Sequence, residues 1–277
     1  MKPTLYKCPV CKNDLSLHNK TWTCSNNHCY DKAKEGYVNL LLAHQKKTKN
    51  PGDNKLMISA RRLFLDGDFY KPLVEGIANV LSQQSLSDGL DRVVLDAGCG
   101  EGYYLKTLGE MLKGEAHLLG FDISKDAVRM AAKRYNEIDF FVASIHNIPV
   151  QEASVDVIVS VFSPINEAEF YKILKPNGVV ITATPYKKHL SGLTKVLYGQ
   201  HNDHNSHIGD FNQDLFVNEA NKIVSYTLAL NNNEDIMNLL KMTPYFYSSS
   251  KENSDKFTLL SKLETLVEFE VNLFRKK

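Results

Sequence analysis

The stretch RVVLDAGCGEGYY, residues 92–104, decides how this chain folds, because a β-rich run ends there in a glycine-rich loop and a helical pattern follows. Gly98, Gly100 and Gly102 recur at every second position. Glycine lets a backbone turn tightly and lets a ligand approach the main chain. Amides at the start of the following helix favour an electronegative group. We therefore predict a ligand-binding loop between a first strand and a first helix.

Acidic residues surround this loop. Asp96 and Glu101 lie in it, and Asp122 ends the next predicted strand, where an acid can accept hydrogen bonds from ribose hydroxyls. This charge favours a cationic ligand over a pyrophosphate, and the G-x-G-x-G spacing differs from the G-x-G-x-x-G of NAD enzymes. The alternative is a tight turn with solvated acids, but the placement of Asp122 weighs against it.

Outward from the loop, strands and helices alternate. Predicted strands at 92–98, 117–122, 138–144, 154–162 and 177–184 are separated by helical patterns, with Ser124 as the N-cap of the second helix. This alternation predicts a doubly wound α/β fold with a parallel sheet. Residues 222–230 and 265–274 alternate apolar and polar side chains, which predicts antiparallel strands at the end of that sheet. A helical pattern before the loop, within 60–84, is interrupted near Gly67.

Length and composition bound the remaining possibilities. The 277 residues suit one large domain with a small module, and the net charge of +1 neither favours nor excludes a nucleic-acid partner. The sequence has no signal-peptide pattern and no run of 18 apolar residues. We therefore expect a cytoplasmic protein without a membrane partner, in which clustered cysteines indicate a metal rather than disulfides.

The N-terminal residues carry such a cluster. Cys8 and Cys11 are followed by Cys24 and then by two neighbouring candidates for a fourth ligand, His28 and Cys29. This spacing is typical of a closed, tetrahedral, structural zinc site, with Trp22 and Tyr30 as flanking cover. Buried free cysteines are the alternative reading. Spacing alone leaves the choice between His28 and Cys29 open.

The loop and the acid after the second strand resemble class I S-adenosylmethionine (SAM)-dependent methyltransferases, whose hallmark is (V/L)LDxGxGxG. This resemblance covers residues 90–185 and implies a Rossmann-like sheet with SAM as cofactor. In that class the glycine loop passes the methionine part and the acid at Asp122 binds ribose. Cys99 stands at a small-residue position and is given no chemistry.

A narrower resemblance rests on six segments that occur together and in order: AKEGYVNLL (33–41), PGD (51–53), ARRLFLDGDFYKPL (60–73), GCGEGYY (98–104), ASIHNIP (143–149) and ITATPYKKHL (181–190). Together with the cysteine cluster they resemble the bacterial 23S ribosomal RNA guanine-N1 methyltransferases over nearly the whole chain. The resemblance implies methyl transfer to N1 of a specific guanine in a hairpin loop of 23S rRNA, and a homodimer.

Several residue assignments follow from this resemblance. The family's zinc ligands match Cys8, Cys11, Cys24 and His28, with Cys29 as a spare thiol. Its SAM contacts match Tyr70, Gly100, Glu101 and His189, to which Asp96, Gly98, Gly102 and Asp122 are added from the loop and the wider class. The expected organisation is a zinc-binding RNA-recognition module at 1–36, a linker at 37–58 and the methyltransferase domain at 59–277.

The acceptor side of the reaction is less defined. No residue identifies itself as the proton acceptor for guanine N1: a carboxylate, a histidine such as His146, or water could serve. Phe162 and Pro164 are candidates to flank an extruded base. Candidate phosphate contacts are Lys46, Lys47, Lys49, Arg61, Arg62, Lys187 and Lys188. Two alternatives remain: a SAM enzyme acting on a small molecule with a structural zinc module, and a zinc-ribbon adaptor without catalysis.

Overall fold

The N-terminal residues form three short strands. The structure is a computed structural model that describes residues 5–46, 52–84, 92–112, 116–204 and 211–277. The strands are β1 (Ser16–His18), β2 (Thr21–Thr23) and β3 (Cys29–Asp31), and they pair as an antiparallel sheet in that order. Tight turns separate them, and Asn19 and Asn27 adopt the left-handed conformation that asparagine tolerates in such turns. Cys24 and His28 lie in the turn between β2 and β3, and Cys8 and Cys11 precede β1.

Eight further strands form one mixed sheet. They are β4 (Val38–Asn39), β5 (Arg92–Ala97), β6 (Ala116–Asp122), β7 (Asp139–Val142), β8 (Val155–Val161), β9 (Leu174–Pro185), β10 (Phe216–Leu230) and β11 (Leu263–Lys276). Their spatial order is β4-β7-β6-β5-β8-β9-β11-β10. The first six are parallel, whereas β11 pairs antiparallel with both β9 and β10. The predicted doubly wound sheet with antiparallel terminal strands is confirmed.

Helices cover both faces of this sheet. They are α1 (Lys55–Asp66), α2 (Lys71–Ser82), α3 (Tyr103–Met111), α4 (Lys125–Arg134), α5 (Glu167–Ile173), α6 (Ser191–Tyr198), α7 (Asn233–Lys241), α8 (Pro244–Ser248) and α9 (Lys251–Asp255). A side chain caps the start of five of them, namely α1, α4, α5, α7 and α9. The side chain of Asn54 accepts a hydrogen bond at the start of α1, and Ser124 does so at the start of α4, as predicted.

The sequence of apolar and polar residues in each strand follows from how that strand is buried. Every residue of β8 is buried, as expected for a strand covered on both faces. In β10, buried or half-buried residues alternate with exposed ones along much of the strand, because it lies at the edge of the sheet. Among the described residues, no helix combines the length and apolar character needed to cross a membrane.

The strand order reverses between β5 and β8. From β5 the chain continues through β6 and β7 on one side, whereas β8 pairs with β5 on the other side. Such a reversal leaves a crevice at the carboxyl ends of the two strands, where ligands bind in open α/β sheets. The glycine-rich loop follows β5 at this point, and Phe162 follows β8.

The N-terminal module packs directly against the eight-stranded sheet and is hydrogen-bonded to it. The Lys7 amide donates to the Pro149 carbonyl at 3.0 Å, and the Gln151 amide donates to the Leu5 carbonyl at 2.9 Å. The ring of Tyr6 packs edge-on against Phe141 of β7, with the ring centroids 5.2 Å apart. The module and this face of the sheet share one hydrophobic cluster.

The segment 37–58, interpreted from the sequence as a linker, contributes to the sheet. Val38 and Asn39 form β4, which pairs parallel with Phe141 and Val142 and ends the sheet on that side. Helix α1 begins at Lys55, four residues before the expected start of the methyltransferase domain. The boundaries at 36 and 58 stay predictions about domain organisation, and Lys47, Lys49 and Pro51 lie outside the described residues.

Candidate functional site

The glycine-rich loop turns sharply between β5 and α3. Gly98, Gly100 and Gly102 all have positive φ values, of 88°, 53° and 90°. The amides of Gly98 and Cys99 both donate to the carbonyl of Phe121, at 2.8 and 2.9 Å, which fixes the loop to the end of β6. The space above Gly98 is already filled, because a Cβ atom there would lie 2.4 Å from the Cβ of Ser163. Glycine is therefore required at this position by both conformation and space.

Asp122 lies directly beside this loop, as the sequence predicted. Its carboxylate accepts the Gly100 amide at 3.0 Å and the Ser124 amide at 2.7 Å. Burial raises the pKa of Asp122, and these two hydrogen bonds act in the opposite direction. A carboxylate has about four acceptor positions, so two bonds to the main chain leave capacity for hydroxyl groups of a ligand.

Two more carboxyl groups are buried at the loop. Both oxygens of Asp96 are buried with no hydrogen-bond partner among the described residues, and the same is true of one oxygen of Glu101. Burial, reinforced by the nearby Asp122, raises the pKa of Asp96 to about 8. Burial raises the pKa of Glu101 to about 7, against the opposing charge of Arg134. A buried carboxyl without a partner is costly, so this pair fits a site that receives a cation.

Gly52 and Asp53 lie near the end of β6, beside Asp122, a position that the sequence patterns did not predict. Gly52 packs against Ser124, and a Cβ atom added at Gly52 would lie 3.0 Å from the Cβ of Ser124. The next residue, Asp53, forms an ion pair and a hydrogen bond with Arg61 of α1. The guanidinium lies beside Gly100, and its side chain is only 26% exposed. Arg61 is thus engaged at the loop rather than displayed as the surface phosphate contact that the sequence suggested.

Aromatic side chains line the other wall of the crevice. The ring of Tyr70 lies 5.0 Å from that of Phe269 and 6.1 Å from that of His189, measured between centroids. Phe162 lies 6.4 Å from Tyr70 and 5.5 Å from Phe269. The structure therefore brings together Tyr70 and His189, which are 119 residues apart in the sequence. Tyr70 and Phe269 are buried, whereas Phe162 is 42% exposed.

Hydrogen bonds and burial determine the tautomer and the charge of His189. Its Nδ1 atom accepts the Glu268 amide at 3.4 Å, and its Nε2 atom lies 3.5 Å from the Tyr70 hydroxyl. Burial, with a smaller contribution from His204, lowers the pKa of His189 to about 3. The ring is therefore neutral at pH 7, with its proton on Nε2, from which it donates to the Tyr70 oxygen. The hydroxyl hydrogen of Tyr70 then remains for an acceptor on a ligand.

The cysteine cluster of the N-terminal module assembles a compact set of donors. The donor atoms of Cys8, Cys11, Cys24 and His28 all lie within 4.8 Å of one another. His28 Nδ1 lies 3.4 Å from the sulfurs of Cys8 and Cys24, and the sulfurs of Cys11 and Cys24 are 3.6 Å apart. Ordinary zinc bond lengths in a tetrahedron predict separations of about 3.8 Å between sulfurs and about 3.5 Å between sulfur and nitrogen. The donor set therefore fits a zinc ion.

The surroundings of the cluster distinguish the two neighbouring candidates. Cys29 is exposed, and its sulfur contacts the Thr23 hydroxyl and the Asn27 carbonyl, outside the cluster. Burial alone would raise the pKa of the Cys8 thiol, but hydrogen bonds, first of all from the Tyr30 hydroxyl at 3.3 Å, lower it to about 6. Three sulfurs and one imidazole without an open position indicate a structural rather than a catalytic site.

Basic side chains from several parts of the chain are candidates to contact RNA phosphates. Lys46, Lys187 and Lys188 are exposed. A surface pocket of about 480 Å³ is lined by Glu35, Arg62, Arg129, Met130, Lys133 and Arg134. Several of these cations are already paired with carboxylates, for example Arg134 with Asp66 at 2.6 Å. The sequence missed this pocket because its members are spread over three elements.

His146, one of the candidates for the proton acceptor, is exposed and lies in the loop after β7. Its Nδ1 atom lies 3.1 Å from the side-chain amide of Asn166. This hydrogen bond fixes the ring at the N-cap of α5, so a role as base stays a prediction.

Two family comparisons match different parts of the chain. The zinc-ribbon family described as "RlmA, N-terminal" matches residues 6–49, and the family described as "Methyltransferase domain" matches residues 94–178. These matches correspond to the module with β4 and to the first part of the sheet.

Individual relatives match longer stretches of the chain, and one of them extends over both parts. A Streptomyces fradiae protein named 23S rRNA (guanine(748)-N(1))-methyltransferase is 35% identical over 193 residues, covering 69% of this chain and 67% of that protein. YxjB of Bacillus subtilis, provisionally named a 23S rRNA (guanine-N(1)-)-methyltransferase, is 30% identical over 271 residues, covering 95% and 93%. Among solved structures, a geranyl diphosphate C-methyltransferase from Streptomyces coelicolor aligns with a TM-score of 0.46 and 13% identity, covering 73% of this chain and 76% of that one.

Proposed function

Because this chain belongs to the family of 23S rRNA (guanine-N1)-methyltransferases, we propose that it transfers a methyl group from SAM to N1 of a guanine in 23S ribosomal RNA. The observation that carries this proposal is the match to YxjB, which spans 95% of the chain and therefore includes the zinc module as well as the methyltransferase domain. A likeness confined to the glycine loop would support methyl transfer but not the RNA substrate.

The buried acids support SAM as the cofactor. SAM supplies a methyl group on a positively charged sulfonium, and it also carries an ammonium group. Asp96 and Glu101 offer buried carboxyl oxygens without partners among the described residues, so a cation would relieve their desolvation. Gly98, Gly100 and Gly102 would let the cofactor approach the main chain, as the family resemblance implies.

Three more residues, Asp122, Tyr70 and His189, are proposed to serve the cofactor site. Asp122, held in place by two amides, would accept hydrogen bonds from ribose hydroxyls. The Tyr70 oxygen would accept a hydrogen bond from the Nε2–H of His189, so the Tyr70 hydroxyl would donate to the cofactor. His189 would act here mainly by orienting Tyr70, since its ring is buried and neutral.

The zinc serves the fold of the module. A segment of this size cannot bury a sufficient core alone, and a closed thiolate site supplies the missing stability. We propose Cys8, Cys11, Cys24 and His28 as its ligands, on the strength of their mutual distances. The module's role in RNA recognition is likewise proposed, because its residue Glu35 borders the pocket whose other lining residues are mainly basic side chains of α1 and α4.

The substrate must present N1 of guanine, which lies on the Watson–Crick edge. A paired guanine is unreachable, so the target is unpaired or extruded from its stack. This requirement agrees with a loop in the RNA rather than a continuous helix.

One assay tests the proposal against both alternatives. The protein is incubated with tritiated SAM and an unmodified 23S rRNA transcript, and the digested RNA is separated into nucleosides. We expect the label in 1-methylguanosine, and we expect the D96N variant to lose most of it. Label found only in small molecules would favour the small-molecule enzyme, whereas bound SAM without any transfer would favour the adaptor.

Two further proposals rest on the family rather than on the geometry. We propose a homodimer, which light scattering on the purified protein would test. We also propose the cytoplasm as the location, because ribosomal RNA is found there.

A further inference from the structure

Phe162 combines two features that are unfavourable for folding. It is a non-glycine residue with a φ of +55°, in the left-handed region that bulky side chains avoid. The residue is also 42% exposed, whereas the neighbouring Phe269 is fully buried. Strained residues of this kind persist where the surrounding structure over-determines them, and they cluster at functional sites.

Contacts on both sides hold the backbone in this conformation. The Phe162 amide donates to the Ala183 carbonyl at 3.0 Å, which extends the pairing of β8 with β9 by one residue. The next residue, Ser163, donates from its hydroxyl to the Ala97 carbonyl, and its oxygen lies 2.8 Å from that of Ser160. The end of β8 is thereby fixed to the start of the glycine-rich loop.

The exposed ring lies at the cofactor site and not elsewhere on the surface. Its centroid lies 6.2 Å from that of Tyr104, at the start of α3, and 6.4 Å from those of both Tyr70 and His189. Tyr70 and His189 are proposed cofactor contacts. A residue fixed beside them and partly open to solvent lies where the methyl acceptor has to enter.

We propose that Phe162 is the stacking platform for the target guanine, an inference that rests on the proposed function. Proteins that bind single-stranded or extruded bases stack them on aromatic side chains, because every base has an apolar face. Methyl transfer is an in-line displacement, so the plane of the base must be fixed before N1 can be aligned. A rigid backbone under the ring provides that constraint, which a flexible surface aromatic does not.

The conformation of Phe162 makes a clean variant available. Asparagine tolerates the left-handed region better than phenylalanine does, so F162N removes the ring while relieving the strain. It should fold as stably as the unchanged protein. F162Y keeps the aromatic face and serves as the conservative rescue, and F162L keeps apolar volume without an aromatic face.

The first test measures methylation of an unmodified 23S rRNA transcript with each variant. Stacking of one base corresponds to a loss of about 5- to 150-fold in kcat/KM for RNA, which we expect for F162N and F162L. F162Y should retain most of the activity. The affinity for SAM, measured by calorimetry, should change less than about twofold in all three, because the ring is not assigned to the cofactor.

The second test isolates the base itself. After the methylated guanine has been mapped by reverse transcription, a hairpin containing it is compared with the same hairpin carrying an abasic nucleoside at that position. F162N should weaken binding of the intact hairpin and leave binding of the abasic hairpin unchanged. Equal weakening of both hairpins would overturn the inference, as would full methylation by a folded F162N.

The outcomes separate this inference from the proposed function. If the unchanged protein produces no 1-methylguanosine, the proposed function fails and the inference fails with it. If the unchanged protein methylates the RNA and F162N does so equally well, only the inference is refuted. Loss of SAM affinity in F162N would assign Phe162 to the cofactor site and would also refute it.

Discussion

Replacing Gly98 by alanine tests the geometry of the glycine-rich loop at its most constrained point. Gly98 has a φ of +88°, and a Cβ atom there would lie 2.4 Å from the Cβ and 2.8 Å from the hydroxyl oxygen of Ser163. Two costs therefore add: about 1–2 kcal/mol for the left-handed conformation and about 1–3 kcal/mol for overpacking. G98A should lose about 2–5 kcal/mol of unfolding free energy, measured by urea denaturation.

Gly199 provides the matched control. Its φ is +77°, but a Cβ atom there would have nothing within 4 Å. G199A should therefore show only the conformational cost, about 1–2 kcal/mol. The difference between the two variants measures the collision with Ser163, and in the double variant G98A/S163G that difference should largely disappear.

Alternatively, the glycine-rich loop of G98A can change conformation locally while the rest of the protein stays folded. The strain would then appear as weaker binding of SAM, and about 2–5 kcal/mol corresponds to a loss of about 30- to 4,000-fold in affinity, measured by calorimetry. The reasoning is refuted if G98A matches G199A in stability and also binds SAM as the unchanged protein does.

Three further changes test the metal site, the buried acid and the aromatic wall. H28A should weaken zinc binding by more than about 100-fold in a chelator competition, and C29A by less than about twofold; the reverse order would contradict the ligand assignment. The pKa of Asp96 is raised to about 8, so its contribution to stability without cofactor is complete below about pH 4 and is lost as the pH rises through 8. Relative to D96N, the unchanged protein should therefore lose stability progressively between about pH 4 and pH 8 in urea denaturation and change little above pH 8, and a pH-independent difference would argue against a protonated Asp96. Y70F should lower SAM affinity by about 5- to 150-fold, whereas Y226F, whose hydroxyl donates to a main-chain carbonyl at 2.6 Å, should change stability but not SAM affinity.

The sheet could be predicted from the sequence because its signals are local. The apolar run of β8 and the alternation in β10 and β11 follow from how each strand is buried. Strand β4 could not be predicted in the same way. Two residues are too short to show a period, and their extended conformation depends on pairing with Phe141 and Val142, about a hundred residues later.

Some residues of the candidate site could likewise be predicted from the sequence, whereas others could not. The glycine spacing and the position of Asp122 are local patterns, and the structure places them together as expected. The ion pair of Asp53 with Arg61 has no such pattern, since an acid after a Pro-Gly turn is common in loops. Tyr70 and His189 were reached only through the family resemblance, because neither residue has a distinctive sequence context.

The position of the zinc module gives it a direct physical relation to the reaction site. From Trp22 in the module, aromatic rings pack in sequence through Tyr6, Phe141 and Phe121, with centroid separations of 4.9, 5.2 and 5.3 Å. The carbonyl of Phe121 accepts the amides that hold the glycine-rich loop. A close-packed interior of this kind does not deform gradually, so the module and the loop keep a fixed separation. An RNA bound to the proposed recognition module would therefore present its guanine at a set distance from the cofactor, which in-line methyl transfer requires.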